Sequence, residues 1–537
     1  MLMTPSTLHL HPHRMSIGPG GVQPFAWPVA IETTVAARDH FVRATMAYLR
    51  AENVDKSENA EALWLALPHL ISDFCYVHQC AAAGKALADA KWRVEYGEVA
   101  LIAEGAPIGI SPRIEFARLL PRAQPAWRLP LRLIKMLLSS GPVVSKPYFA
   151  VDPDHDVVIF QAPLHLLNQA KAENIRRLVL SRFDAWMGAA NPAEDARQTG
   201  MSAATRAAYR AILVDSFRVG GIDLQDQIAD VLQDSAEIIV RRVQTQTGYL
   251  RRREKWLPKR FWSGSGGNLM NRVFGRMVSR NGGQVTAFDH GMSTGLWDCW
   301  DQTVLEFNWA DRFITFSETM ARGLRHNYVE DYIGRSNHRC EIIAAANHGI
   351  EPAQQEVTRQ SAGRQVKYVP TLYAGRSTQI TPLLPDIVAV DWQARLLSFL
   401  REEGWDVSMK PHPESYCLPP PAFSQFGVRI DGGMFEDLPD LGATMIFDYP
   451  QSTAFRSALM GRQPIILIDL PRLRLQQGVL DLLANRCAIV RGRFDKDNRV
   501  QIDWNDLRQA LVRAPDLIDD KSVRECLFPV STDMNEG

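Results

Sequence analysis

The chain has 537 residues, of which 46% are hydrophobic, with Lys plus Arg and Asp plus Glu equal at 60 each. That length exceeds one ordinary core and that apolar content excludes a disordered chain, so two folded domains are the first expectation. A formal net charge of zero provides no global field for nucleic acid, which is therefore not an expected partner, and any basic surface is local.

Residues 1 to 25 hold His9, His11 and His13 among several Gly and Pro but no apolar core like that of a signal peptide, and are expected to form a flexible tail. No later stretch reaches transmembrane length, which predicts a soluble or peripheral protein. From Trp27 to about Pro121 helical periodicity dominates, densest over Glu61-Ala62-Leu63-Trp64-Leu65-Ala66-Leu67. Val157-Val158-Ile159-Phe160 predicts a strand, and two helices are expected next, from Ala204 to Val214 and from about Leu224 to Arg242. The seven cysteines (75, 80, 299, 340, 417, 487, 526) are scattered with no Cys-x-x-Cys pair. They argue against a disulfide framework or a structural zinc site and fit a reducing cytoplasm.

Phe261 to Asn268 is glycine-rich and precedes a helical run from Leu269 to Val278. A strand-to-helix turn of this kind lets backbone approach a ligand and aims N–H groups at it, which makes Ser263, Gly264 and Gly266 candidates for an acceptor or cleft contact. The alternative is a tight turn that packs a helix on a sheet. The block lacks both Gly-x-Gly-x-x-Gly spacing and the Lys-Ser/Thr ending of a P-loop, so neither a dinucleotide site nor an ATPase is supported.

Gln284 to Phe288 predicts a strand that ends in Asp289-His290-Gly291. An acid beside a histidine at the carboxyl end of a strand, opened by glycine, stands where catalytic groups sit in α/β sheets. Asp289 or His290 can take a hydroxyl proton when tuned toward neutral pH; the alternative for His290 is a cap on the next element. Asp311 to Ser317 predicts another strand, with Ser317 capping a helix. Residues 349 to 365 are poor in large apolar side chains and make the best linker.

Lys367 to Val369 then predicts the first strand of a second half, followed by Gly375, which permits close approach, and Arg376, a forked donor suited to phosphate. Gly404 to Lys410 predicts a strand that feeds Lys410-Pro411-His412-Pro413; the two prolines present the His412 ring at low entropic cost, with Lys410 adding charge. About 35 residues later Ala443 to Tyr449 predicts a strand that passes through Ser452 and Thr453 into a helix from Ala454 to Met460. These hydroxyls can cap the helix, share its N-terminal N–H groups with a bound phosphate, or both. Two strand ends with polar loops in one α/β unit are where an open parallel sheet binds an anion or nucleotide. Ile465 to Asp469 completes the pattern as a buried parallel strand.

This ordered set resembles the donor-binding half of bacterial GT-B glycosyltransferases that build surface polysaccharides (capsule and lipopolysaccharide), and within them bacterial sialyltransferases, capsule Kdo transferases and CDP-glycerol glycerophosphotransferases. The likeness spans roughly residues 260 to 490. It implies two Rossmann-like domains facing across a cleft: an acceptor-side domain over 26 to 345 with extra helices, a linker at 346 to 365, a donor-binding domain over 366 to 525 and a tail at 526 to 537. In those families the histidine and the hydroxyls hold the donor phosphate, so His412, Ser452 and Thr453, with Lys410, Gly375 and Arg376, are the expected donor-binding residues.

Asp289, His290 and Gly291 resemble the His-Gly segment of polysaccharide and teichoic-acid transferases, which sits at the interdomain cleft, although Asp289 stands where many relatives carry Gln, Trp or another residue, so their roles do not carry over to it directly. The acidic-acidic-Gly motif of sialyltransferases is absent before His412; Asp431-Gly432-Gly433 comes after it instead. The implied activity is transfer of a sugar, with a slight tilt toward a CMP-activated acidic sugar, from a nucleotide donor to a surface polysaccharide or glycolipid acceptor. No cofactor and no essential metal are expected. The alternatives are transfer of a polyol phosphate from a CDP donor and a non-catalytic glycan-binding or assembly role. The basic runs from Arg241 to Arg260 and Leu129 to Leu138 suggest peripheral contact at the inner membrane face of a cytoplasmic protein, against the plainer reading of a solvated face and a buried helix.

Overall fold

The computed structural model describes residues 15–23, 29–89, 151–160, 200–264, 266–289, 294–335, 338–345, 364–373, 384–413, 417–432, 443–471 and 474–517, with short stretches at 7–9, 93–96, 99–101, 143–145 and 177–181 and isolated positions besides. Most of the expected linker (346–363), the basic run at 129–138 and residues 528–537 lie outside them, as do His290, Gly291, Gly375 and Arg376.

Helices α1 (Ile31–Glu52) and α2 (Glu58–Asp89) open the chain's helical part. They pack with α3 (Ala203–Val219) and α4 (Asp226–Arg251) in one cluster through Phe41, Phe74, Tyr209 and Phe217. Ring stacking of Phe41 on Phe74 at 4.5 Å, with Phe217 edge-on to Phe74 at 5.3 Å, shows how tightly these faces meet. Both predicted helices after residue 200 form and run longer than expected, because the apolar stripe of α4 continues through Val243 and Leu250.

The short strands β1 (Thr7–His9), β4 (Arg93–Tyr96) and β5 (Val99–Leu101) form a three-stranded sheet and β2 (Ile17–Gly18) and β3 (Gly21–Val22) a hairpin, and a seven-stranded parallel sheet lies beside the helical bundle. Its strands are β6 (Val143–Ser145), β7 (Val157–Phe160), β8 (Leu178–Leu180), β9 (Arg260–Ser263), β10 (Gln284–Phe288), β11 (Arg312–Thr315) and β12 (Glu341–Ala344), in the spatial order 12-11-10-9-7-8-6. Helix α5 (Leu269–Arg280) comes after β9, its first turn capped by the Asn268 side chain, which accepts from the Met270 N–H. Helix α6 (Glu318–His326) comes after β11, and the predicted Ser317 cap is present, accepting from the Met320 N–H.

The second sheet is six-stranded and parallel: β13 (Gln365–Val369), β14 (Asp406–Met409), β15 (Arg429–Ile430), β16 (Thr444–Phe447), β17 (Ile465–Asp469) and β18 (Ala488–Arg491), in the order 15-14-13-16-17-18. β16 is buried along its whole length and β13 and β17 along all but one end residue, which is why they appear in the sequence as continuous apolar runs rather than alternating ones. Helix α7 (Asp386–Glu402) covers one face, and α8 (Thr453–Met460) and α9 (Gln477–Ala484) contribute to a separate cluster with β16 and β17. Two parallel sheets are therefore the architecture, each with a core of its own and a third cluster shared between them.

The expected tail over residues 1 to 25 is corrected in both halves: Thr7–His9 pairs in parallel with the strand at Arg93–Tyr96, and a hairpin follows. Ile17–Gly18 and Gly21–Val22 pair as an antiparallel hairpin whose Met15 and Val22, with Trp27, enter the core of the six-stranded sheet. The Val22 N–H donates to Asp391 Oδ1 at 3.0 Å, and Arg499 and Arg395 complete the shell of that fully buried carboxylate. Gly21 has φ 97°, and a Cβ there would stand 2.1 Å from Asp391 Oδ1, so this turn tolerates only glycine. At the other end, Leu527 within the expected tail at 526–537 is fully buried against the second sheet.

The basic run from Arg241 to Arg260 belongs to the end of α4 and the start of β9. Arg241 pairs with Glu237 at 2.8 Å, Arg251 with Glu58, and the Arg253 guanidinium lies 4.3 Å from the Tyr249 ring centre. Among the described residues no helix is long and apolar enough to cross a membrane.

Candidate functional site

In an open parallel sheet the carboxyl ends of two neighbouring strands form a crevice wherever the chain's strand order reverses. Both sheets have such a point; of the described sequence-predicted residues, Ser263 ends a strand at one, His412 and Ser452 follow strands at the other, and Asp289 follows β10, one strand away from the first. In the six-stranded sheet the chain runs outward from β13 to β14 and β15, then returns to place β16 on the other side of β13. The crevice is bounded by the ends of β13, β14 and β16. His412 comes just after β14, and its ring sits edge-on to Tyr449, the second residue after β16, with ring centres 5.6 Å apart. The His412 carbonyl accepts the Ser415 N–H at 3.1 Å, and the Ser415 hydroxyl accepts the Tyr373 N–H at 3.1 Å, which ties the loops after β13 and β14 together.

Three residues beyond Tyr449, Ser452 is the N-cap of α8; its hydroxyl accepts the Phe455 N–H at 3.2 Å. The capping role is thus filled, while the hydroxyl hydrogen stays available to an acceptor. Thr453, the first residue of the helix, is exposed. Lys410 is buried at the end of β14 and its ammonium donates to the Pro411 carbonyl at 3.1 Å.

The floor of the crevice is Asp448, 1% exposed, which no motif singled out. Its carboxylate accepts the Thr371 N–H at 2.5 Å, the Trp392 indole N–H at 3.0 Å and the Tyr368 hydroxyl. Burial, with the Asp448 charge adding to it, pushes the Tyr368 phenol well above its ordinary range, so it remains a donor. One acid thereby joins β13, β16 and α7. A signal existed in the sequence: an acidic residue closing an otherwise apolar strand, Met445-Ile446-Phe447-Asp448. Asp431, in the misplaced acidic-Gly segment, accepts from the buried Lys367 of β13 and from Arg429 at 3.2 Å, and so serves the sheet.

In the seven-stranded sheet the order reverses between β7 and β9. Ser263 ends β9, fully buried, and its hydroxyl accepts from the Asn271 side chain at 2.8 Å. Two N–H groups of this turn are used within the protein, as in the packing alternative. The Gly264 N–H reaches the Phe160 carbonyl at 3.4 Å and the Gly266 N–H donates to Glu306 Oε1 at 2.9 Å. A Cβ on Gly266 would lie 2.2 Å from the Leu305 carbonyl oxygen, so glycine is required for packing against the protein itself.

Asp289 comes directly after β10 and is 1% exposed; its N–H donates to the Ile314 carbonyl at 2.9 Å and one carboxylate oxygen accepts the Thr315 hydroxyl at 3.0 Å. Beyond it, Trp297 forms a β-bridge with Leu475, the Asp298 N–H reaches the Arg474 carbonyl at 2.9 Å, and the Gln476 amide donates to the Gly295 and Trp297 carbonyls at 3.1 and 3.3 Å. Arg456 of α8 lies 5.6 Å from the Phe316 ring centre, and Leu296, Trp297, Phe316 and Met320 share a cluster with Phe447 and Phe455. The carboxyl ends of β10 and β11 are therefore packed against the α8 side of the second sheet. Among the described residues no group of three or more His, Cys, Asp or Glu side chains is placed to share a metal ion.

Compared with family models, curated proteins and solved structures, the chain matches none.

Proposed function

We propose that this chain is a glycosyltransferase of GT-B type that moves a sugar from a nucleotide donor to a surface polysaccharide or glycolipid acceptor. The observation that carries the reading is the edge-on contact of His412 with Tyr449, which sets the His-Pro loop beside the Ser452 helix start at the strand-order reversal of the six-stranded sheet. In this reading a donor phosphate lies between the His412 ring and the N-terminus of α8, where the imidazole, the Ser452 hydroxyl and free first-turn N–H groups all donate. Lys410 adds positive charge from the end of β14. Asp289, packed toward the same side from the other sheet, takes the acceptor's hydroxyl proton as the anomeric carbon is attacked, with the Thr315 hydroxyl holding its carboxylate in place.

The His-Pro and Ser-Thr pairing favours a CMP-activated acidic sugar over a UDP-sugar, and the site of action is the cytoplasmic face of the inner membrane. A thermal-shift screen of CMP, CDP, UDP and GDP tests this. A cytidine nucleotide is expected to raise Tm most, and a protein that none of the four stabilises does not fit the proposal.

A further inference from the structure

One buried carboxylate beside Asp289 has no part in the reading above. Glu306 sits on a single π-helical turn, Thr303–Phe307, the kind of local insertion that re-aims a side chain and recurs at functional sites. It is 6% exposed. Its Oε1 accepts the Gly266 N–H at 2.9 Å, and the neighbouring Trp309 indole, which donates to the Leu305 carbonyl at 3.1 Å, also steadies the carboxylate. The fit is close, since a Cβ on Gly266 would stand 2.4 Å from Oε2.

We infer that Glu306 is a positioning residue, which ties the glycine-rich turn at Gly266 to the wall of the site beside Asp289. Three further groups face it or its neighbours. Arg272 of α5 is fully buried, but its guanidinium is shared among the carbonyls of Trp64, Leu65, Val304 and Leu305 at 3.0 to 3.2 Å. Asp289 at the end of β10 brings a like charge; Cys340 before β12 is a buried thiol that senses Glu306 and Asp311. Burial is the largest influence and pushes the Glu306 carboxyl up to about 8, with Asp289 adding to it against Gly266 and Arg272.

The consequence is a neutral acid at pH 7 that holds the Gly266 N–H without setting a second negative charge next to Asp289. An unfolded glutamate ionises near its ordinary value while the folded one keeps its proton to about 8, so the stability it supports is complete below the ordinary value and is lost as pH rises toward the folded one.

Hydrogen exchange of the Gly266–Asn271 amides, corrected for intrinsic exchange, in wild type, Glu306→Gln and Glu306→Ala tests the inference. Wild-type protection is expected to fall about tenfold from about pH 7 to about pH 9, to stay level in Glu306→Gln, which keeps an acceptor but cannot ionise, and to be low throughout in Glu306→Ala. Equal pH dependence in wild type and Glu306→Gln, or full protection in a folded Glu306→Ala protein, overturns it. The effect on turnover rests on the proposed role of Asp289, and there an alkaline loss of kcat is expected in wild type and absent in Glu306→Gln. The exchange experiment needs no donor or acceptor, so a pH-sensitive turn in a protein without transferase activity defeats the functional reading and keeps the positioning one.

Discussion

At the end of β10 the Asp289 carboxylate is buried and accepts the Thr315 hydroxyl, and its acidic neighbour Glu306 is kept protonated by burial. If Asp289 is the base, Asp289→Asn, which nearly preserves shape and removes basicity, lowers turnover by roughly a hundredfold or more while leaving nucleotide affinity nearly unchanged. Wild-type turnover in that variant, measured by nucleotide release from the donor, places the base elsewhere. Residue types at strand ends were legible in the sequence, since Asp289, His412 and Ser452 all stand where a parallel sheet presents its side chains. Their partners were not. Glu306 lies in Thr303-Val304-Leu305-Glu306-Phe307, whose pattern is that of any amphipathic helix, and the π turn that aims it at Gly266 depends on packing between elements distant in the chain.

Elements were the most legible level, because buried parallel strands appear as apolar runs and the caps Ser317 and Ser452 precede helical patterns. The hairpin at residues 17–22 escaped because its two strands have two residues each and their partner, Asp391, is nearly 370 residues away. Its Gly18-Pro19-Gly20-Gly21 turn, between Ile17 and Val22, was the available signal. The same long-range dependence makes Asp448 decisive for the second sheet. Asp448→Ala leaves the Thr371 N–H, the Trp392 indole and the Tyr368 hydroxyl without their acceptor. At about 1–3 kcal/mol for each buried group left unpaired, a loss of at least about 3 kcal/mol is expected in urea unfolding. Ser452→Ala removes only a cap and is expected to cost about 1 kcal/mol. A ranking in which Ser452→Ala is the more damaging would mean that the crevice floor is not held as described.

Over the whole molecule, two parallel sheets meet where the chain after β10 and β11 packs on α8 and on the segment Arg474-Leu475-Gln476. A hydrophobic content of 46% and scattered cysteines pointed to a folded, disulfide-free chain, and the seven cysteines are all free thiols. How the halves meet was beyond sequence reading, since it rests on contacts such as Gln476 with Gly295 that no periodicity announces. Everything proposed for the activity depends on the reversal point of the six-stranded sheet binding the donor phosphate. Calorimetric titration of the most stabilising nucleotide into wild type and His412→Ala tests this most directly: a weakening of about 1.5–3 kcal/mol in a folded variant is predicted, the range for losing a hydrogen bond to a charged group, and unchanged affinity would contradict it.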